Sequence, residues 1–138
     1  MIYQRQFEVE TTGHGDMKNI GSEAEHLVQA SGIVTGTASV FVVGSTAAVG
    51  AIELEQGLAR DLPELFDRLV PPSRSYGHEQ AWHDGNGHSH LQATWLGPSI
   101  TVPVSGGKLV LGTWQQLFLL ECDVRPRRRE VVVTVMGE

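Results

Sequence analysis

The apolar residues of this chain change period along its length, and those changes constrain the fold more than any single motif does. Over residues 3–12 apolar and polar side chains alternate, Tyr3, Phe7 and Val9 against Gln4, Glu8 and Glu10, the pattern of a half-buried strand that ends at Gly13. Over residues 19–31 the spacing becomes helical through Ile20, Ala24, Leu27, Val28 and Ala30, and Gly32 follows as a stop signal. Residues 33–54 are rich in Val, Thr, Ser and Ala, with Gly36, Gly44 and Gly50 as punctuation, which predicts two strands joined through Gly44-Ser45-Thr46. Leu58, Leu62, Leu65, Phe66 and Leu69 mark a second helix closed by Pro71-Pro72, with Pro63 expected near its start because proline lacks the N–H an interior turn uses. Ile100, Val102 and Val104 then alternate up to Ser105-Gly106-Gly107, a hairpin signal leading into Leu109, Val110 and Leu111. Further strands are expected over residues 114–122 and, after a turn at Arg125-Pro126, over residues 130–136. Two main helices set between groups of neighbouring strands predict an α+β domain with a mixed or antiparallel sheet, not a doubly wound parallel one. With 138 residues and no internal repeat, a single domain spanning 1–138 is expected.

Charge and apolar content narrow the class. Ten basic residues against sixteen acidic ones leave a net charge of -6, which argues against a nucleic-acid partner held on a broad basic face. The apolar runs are broken by Gly, Ser or Thr well short of a membrane span, and Met1 to Gln6 carry no basic segment leading into an apolar one, so a cytoplasmic protein without a membrane partner is expected. The lone cysteine, Cys122, follows Leu117, Phe118, Leu119 and Leu120 and reads as a buried small hydrophobe.

The chemistry concentrates elsewhere. Residues 71–87 hold hardly any aliphatic side chain, and a long loop of that kind in a compact domain is expected to carry function. His78, His83, His88 and His90 fall within thirteen residues, with Glu79, Asp84 and Asn86 among them, a grouping expected of a metal or catalytic site because imidazole is the commonest metal ligand and carboxylates complete or orient such sites. The rings of His88 and His90 point the same way if the backbone there is extended and opposite ways if it is helical. Glu53 and Glu55 leave an apolar strand, and one of them facing inward would suit acid/base work. Gly44-Ser45-Thr46-Ala47 offers hydroxyls and amides to a phosphate, and Arg125, Arg127, Arg128 and Arg129 form a basic turn able to meet an anion. Trp114 is expected in the core, and Trp82, beside His83, at a pocket wall.

Gly112-Thr113-Trp114-Gln115, preceded by Gly97-Pro98-Ser99-Ile100-Thr101-Val102-Pro103 and set at its particular distance from Tyr76-x-His78 and His90, resembles the YjbQ-like family, also described as secondary thiamine-phosphate synthases, over nearly the whole chain. The resemblance implies a homotrimer with a histidine-lined pocket near a subunit boundary and a site for a divalent metal, zinc or magnesium. It implies coupling of a pyrimidine diphosphate to a thiazole phosphate with release of pyrophosphate, as a low or secondary activity, with Asp84, Glu53 and His78 catalytic. Ser45, Thr46, Gln115 and Arg129 would bind the phosphorylated substrate, and His78, His88 and His90 the metal. The chain departs from the family at Gly44, where a His-Thr-Ser-Ala segment is usual, and His88 is the expected replacement for that histidine. Two other classes suit the same residues: a non-catalytic trimer that binds a metal or small ligand, and a metal-dependent hydrolase.

Overall fold

The computed structural model describes all residues, Met1–Glu138, in the order β1 (Ile2–Glu10), β2 (Met17–Asn19), α1 (Gly21–Ser31), β3 (Thr35–Val43), β4 (Ala47–Ile52), α2 (Leu58–Leu69), α3 (His78–Trp82), α4 (Gly87–Leu96), β5 (Ser99–Ser105), β6 (Lys108–Leu109), β7 (Gln116–Glu121) and β8 (Arg128–Gly137). The strands form two antiparallel sheets, a five-stranded one in the order β1-β8-β3-β5-β6 and a three-stranded one in the order β2-β7-β4. This is the expected α+β domain. No helix is long and apolar enough to cross a membrane.

The layers follow from which side chains each strand buries. On the inner face of the large sheet, Ala38, Val40 and Val42 of β3, Val102 and Val104 of β5 and Val131, Val133 and Val135 of β8 pack against α1 through Ala24 and Val28. Leu117 and Leu119 of β7, with Ala47 and Val49 of β4, complete that core from the small sheet. The alternate residues of β7, Phe118 and Leu120, face the other way and pack with Phe66 of α2 and Ala93 of α4. Both faces of β7 are therefore covered, which explains why its sequence is a continuous apolar run instead of an alternation. Gly50 lies opposite Phe118 in this sheet, and a Cβ there would sit 2.8 Å from the phenyl ring.

Three expectations change in the structure. Besides α1 and α2 there is a third substantial helix, α4, inside a stretch that carries no helical apolar period, because its buried face is Gly87, His88, Ser89 and Gln92. Pro63 lies well inside α2: the carboxylate of Glu55 accepts hydrogen bonds from the N–H groups of Gly57 (2.7 Å) and Leu58 (2.6 Å) and starts the helix upstream of the proline. Trp114 is 70% exposed in the turn before β7 and forms no part of either core.

Within the large sheet, glycines let the neighbouring strands β3 and β8 approach closely. A Cβ at Gly36 would lie 1.9 Å from the carbonyl oxygen of Met136, so β3 and β8 approach to backbone contact at that point. Gly36→Ala is expected to force these strands apart and lower the unfolding free energy by about 1–3 kcal/mol, the usual cost of overpacking, read as a lower midpoint in urea denaturation.

Candidate functional site

The turn Gly44-Ser45-Thr46 carries the chain from the large sheet to the small one, and beside it the ends of β7 and β8 bring four charged side chains together. Glu121, fully buried, accepts hydrogen bonds from Arg129 Nε (2.8 Å), from the Thr11 hydroxyl (2.7 Å) and from the Asp123 backbone N–H (3.0 Å). Arg129 Nη2 donates to Glu121 and to Thr46 Oγ1, the latter at 2.7 Å. Arg127 turns its Nε (3.0 Å) and Nη2 (2.7 Å) to Asp123 Oδ2. In both arginines the Nη1 group makes no hydrogen bond within the protein, and both residues line one cavity. Burial works to raise the Asp123 carboxyl, but Arg127, the Val124 N–H and the Thr46 hydroxyl outweigh it and hold the group below its ordinary range.

That cavity, about 360 Å³, is walled by Gly44, Ser45 and Thr46, by His78, Trp82, Asp84, Asn86 and His90, and by Asp123, Arg127 and Arg129. Its volume suits a small ligand. Trp82, 70% exposed, is its one large apolar side chain. Gly44 (φ +129°) keeps the floor open: a Cβ there would lie 2.7 Å from Arg129 Nη1 and cover the free edge of the guanidinium. The opposite wall depends on Gly87, where a Cβ would sit 2.8 Å from Tyr76 Cβ and 3.3 Å from His78 Cβ, so the start of α4 docks directly on the segment carrying His78. Arg74 secures that segment, pairing with Glu79 and donating to the His83 carbonyl, while the Gly85 N–H donates to Glu79 Oε2 at 2.8 Å.

The histidines of residues 78–90 do not form one cluster, and the metal site expected at His78, His88 and His90 is not assembled: no three His, Cys, Asp or Glu side chains converge as a group able to hold a metal ion. The reason is local. His88 and His90 lie two residues apart on α4, roughly 200° around a helix of 3.6 residues per turn, so their rings leave on opposite sides. His90 meets His78 with ring centroids 4.5 Å apart, at the cavity. His88 turns inward, edge-on to His14 at 5.3 Å, so it takes no place at Gly44. His14 is held in turn between the Cys122 carbonyl (Nδ1, 3.1 Å) and Asp67 Oδ1 (Nε2, 2.7 Å), and Asp67 also accepts from Gln92 Nε2 at 2.9 Å.

Of the other residues singled out from the sequence, the cavity gathers His78, Asp84, Ser45, Thr46, Arg129 and Trp82. His78 Nε2 lies 3.3 Å from Asp84 Oδ1, close enough for an ion pair but without the alignment of a hydrogen bond. Glu53 is exposed beyond the end of β4 and Gln115 accepts from the Gly112 N–H (3.0 Å) in its own turn; neither lines the cavity. His83 closes α3 in the left-handed conformation (φ 55°) with its side chain exposed. Cys122 is buried as expected, and burial, then the Glu121 charge, pushes its thiol up to about 12, which leaves it inert as a nucleophile. Asn86 and Arg127, named with the histidines and the basic turn, line the cavity as well, and Asp123 joins them unannounced. Asp123 could have been suspected from its place, two residues after Glu121, at the end of an apolar strand.

Burial keeps both His88 and His90 below the ordinary imidazole value, with His14 adding to the effect at His88 and His78 at His90. For a histidine depressed in the folded state, the unfolded chain takes up the proton first, so folding stability is complete above the unfolded value of 6.5 and declines as pH falls below it. His88 is 2% exposed and neither ring nitrogen has a partner. Denaturation midpoints are therefore expected to drop between pH 6.5 and the acid limb, and His88→Leu to flatten that slope; an unchanged slope would assign the loss to other groups.

Comparison with known proteins agrees with this fold. Residues 5–138 match the family model described as UPF0047 protein YjbQ-like. A UPF0047 protein of Methanothermobacter thermautotrophicus is 37% identical over 137 residues, covering 99% of this chain and 94% of that one, and the UPF0047 protein YugU of Bacillus subtilis is 32% identical over 132 residues, covering 94% and 96%. Among solved structures, a YbjQ-like protein of unknown function from Sulfolobus solfataricus superposes with a TM-score of 0.89 at 37% identity, covering 100% of both chains. A hypothetical protein from Aeropyrum pernix gives 0.90 at 34% identity, covering 99% of each. The chain belongs to the YjbQ-like family, UPF0047.

Proposed function

We propose that the protein is a transferase of the thiamine-phosphate synthase type, acting on phosphorylated heterocycles in the cavity between the 44–46 turn and α4. The observation that carries this reading is that two arginines, each tied internally to a carboxylate, leave their Nη1 edges free toward a cavity that also holds the close pair His78 and Asp84. In the reaction, the bond between the pyrimidine methylene carbon and the pyrophosphate oxygen breaks, the pyrophosphate leaving with the electron pair. The lone pair of the thiazole nitrogen then forms the new carbon–nitrogen bond. No net proton moves. The transition state separates charge, negative on the departing oxygens and positive on the methylene group, and a useful site must stabilise both ends without reorganising.

The cavity has that balance. Arg127 and Arg129 offer N–H groups to the anion, with the Ser45 hydroxyl and the His78 ring beside them, while Asp84 and Asp123 supply negative charge for the cation. The internal ion pairs hold the guanidinium groups in place before the ligand arrives, so less rotamer entropy is lost on binding. The His, Cys, Asp and Glu side chains do not assemble a metal-holding set.

We also propose that the chain works as a homotrimer, with the bare face of the five-stranded sheet against a second copy. Phe41 and Val43 stand exposed on the outward side of β3, opposite Val132 and Glu130 of β8 respectively, and the strand continues directly into Gly44 of the cavity. A covered sheet face there would put the site at a subunit boundary. Light scattering on the eluted protein is expected to give three times the 15.0 kDa chain mass, and Phe41→Glu to shift it toward the monomer.

The catalytic reading is tested by incubating the purified protein with the pyrimidine diphosphate and the thiazole phosphate and following thiamine phosphate. His78→Ala is expected to lower kcat by about 10²–10³-fold, the usual loss for one removed donor to developing negative charge, with a smaller change in KM. Pyrophosphate release without thiamine phosphate would indicate a hydrolase, and binding without turnover a non-catalytic ligand-binding protein.

A further inference from the structure

A second cavity, of about 140 Å³, opens beside the one that holds the arginines, and the two share Gly44, Ser45 and His90. Gly44 carries no side chain, so of the three only Ser45 and His90 have one to set between the cavities. The small cavity runs along α4: Thr94 follows His90 by four residues and stands on the same helix face, about 6 Å farther along the axis. Ala47 and Ala93, both buried, and Pro98 line the rest. The chain at Pro98 is fixed before any ligand arrives, because the Gly97 carbonyl accepts from the Val49 N–H (3.1 Å) and the Pro98 carbonyl from the Val42 N–H (2.9 Å).

The two cavities differ in chemistry. Arg127, Arg129, Asp84 and Asp123 line the larger one, whereas the residues found only in the smaller, Ala47, Ala93, Thr94 and Pro98, carry no charge and a single hydroxyl. A charged group placed among them would lose water without gaining a partner, so the small cavity takes an uncharged group. Its volume matches that of about four or five waters in the liquid, which is room for one small ring.

We infer that the two cavities are lobes of one binding site: the anionic group of a ligand meets the free Nη1 edge of Arg129 in the large lobe, and an uncharged ring on the same molecule passes over Gly44 into the small one, against Ala93 and Thr94. This deepens the transferase reading and rests on it for the choice of cavity, since its substrates are rings that carry phosphate. A side chain at position 44 would stand in the passage and also over Arg129, 2.7 Å from Nη1, so the site needs glycine there on both counts. Thr94, at the end of the small lobe away from His90, sets the size of the ring admitted.

The experiment is calorimetric titration of the protein with inorganic phosphate and with benzyl phosphate, the same anion carrying an uncharged ring. Benzyl phosphate is expected to bind the wild-type protein on the order of 10- to 100-fold more tightly, the gain from burying one ring. Thr94 is exposed, and tryptophan has a similar helix propensity, so Thr94→Trp fills the small lobe at little cost to folding. In that variant benzyl phosphate is expected to fall to the affinity of inorganic phosphate, whose own binding stays as it was. Equal affinity of the two compounds for the wild-type protein overturns the inference, as does failure of both to bind. A ring advantage that survives Thr94→Trp puts the ring in the large lobe, against Trp82, and overturns it too, and loss of phosphate binding in the variant overturns the division into lobes. A ring advantage lost in Thr94→Trp, in a protein that forms no thiamine phosphate, supports the two lobes and sinks the transferase reading instead; turnover untouched by Thr94→Trp does the reverse.

Discussion

Everything around the cavity depends on the buried pair Arg129–Glu121. It ties β8 to β7, that is, the large sheet to the small one, and through the Thr46 hydroxyl it also fixes the turn by which β3 leaves one sheet for the other. An ion pair taken out of water is tolerable only when its remaining hydrogen-bonding capacity is met, and here the carboxylate is met by Arg129, Thr11 and the Asp123 N–H. The same contacts that satisfy Glu121 orient Asp123 and leave Arg129 Nη1 toward the cavity. The junction of the sheets and the cavity wall thus share one polar network, in which a change at any member moves both.

The second constraint is the helix α4. Its inner face is largely polar, His88, Ser89 and Gln92 beside Ala93, and two residues after His88 the side chain of His90 looks into the cavity. The helix is placed by Ala93 and Leu96 in the smaller apolar core and by the contact of Gly87 with Tyr76 and His78. A backbone approach that close requires glycine, and it sets the separation of His78 from His90. The histidine pair at the cavity and the inward pair His14–His88 are two outcomes of one helical geometry. Imidazoles that stand together in sequence are separated in space by the rotation of 100° per residue.

Much of the fold was legible residue by residue. The helical spacing that stops at Gly32, the alternation in β1 and β5, and the hairpin at Ser105-Gly106-Gly107 are local signals, since each rests on side chains or dihedrals within one element. So was the apolar nature of Cys122 and the place of Trp82 at a pocket wall. The helix α4 escaped because hydrophobic period reveals a helix only when its buried face is apolar. Trp114 misled for the related reason that an indole near an apolar strand reads as core, whereas the turn of Gly112 to Gln115 holds it out of both cores.

The sequence by itself determined most of the strands and the helices α1 and α2, which side chains could bury, and that titratable side chains gather in residues 71–90 and in the arginine turn, because those properties follow from short-range pattern and residue type. Only the tertiary structure decided that His88 and His90 part company, that Glu53 and Gln115 stand away from the cavity, and that Asp123 belongs to it. Those outcomes depend on how α4 is rotated and on how two sheets meet at a buried ion pair. Distances between residues tens of positions apart in the chain are set by packing, for which no local pattern in the sequence stands proxy.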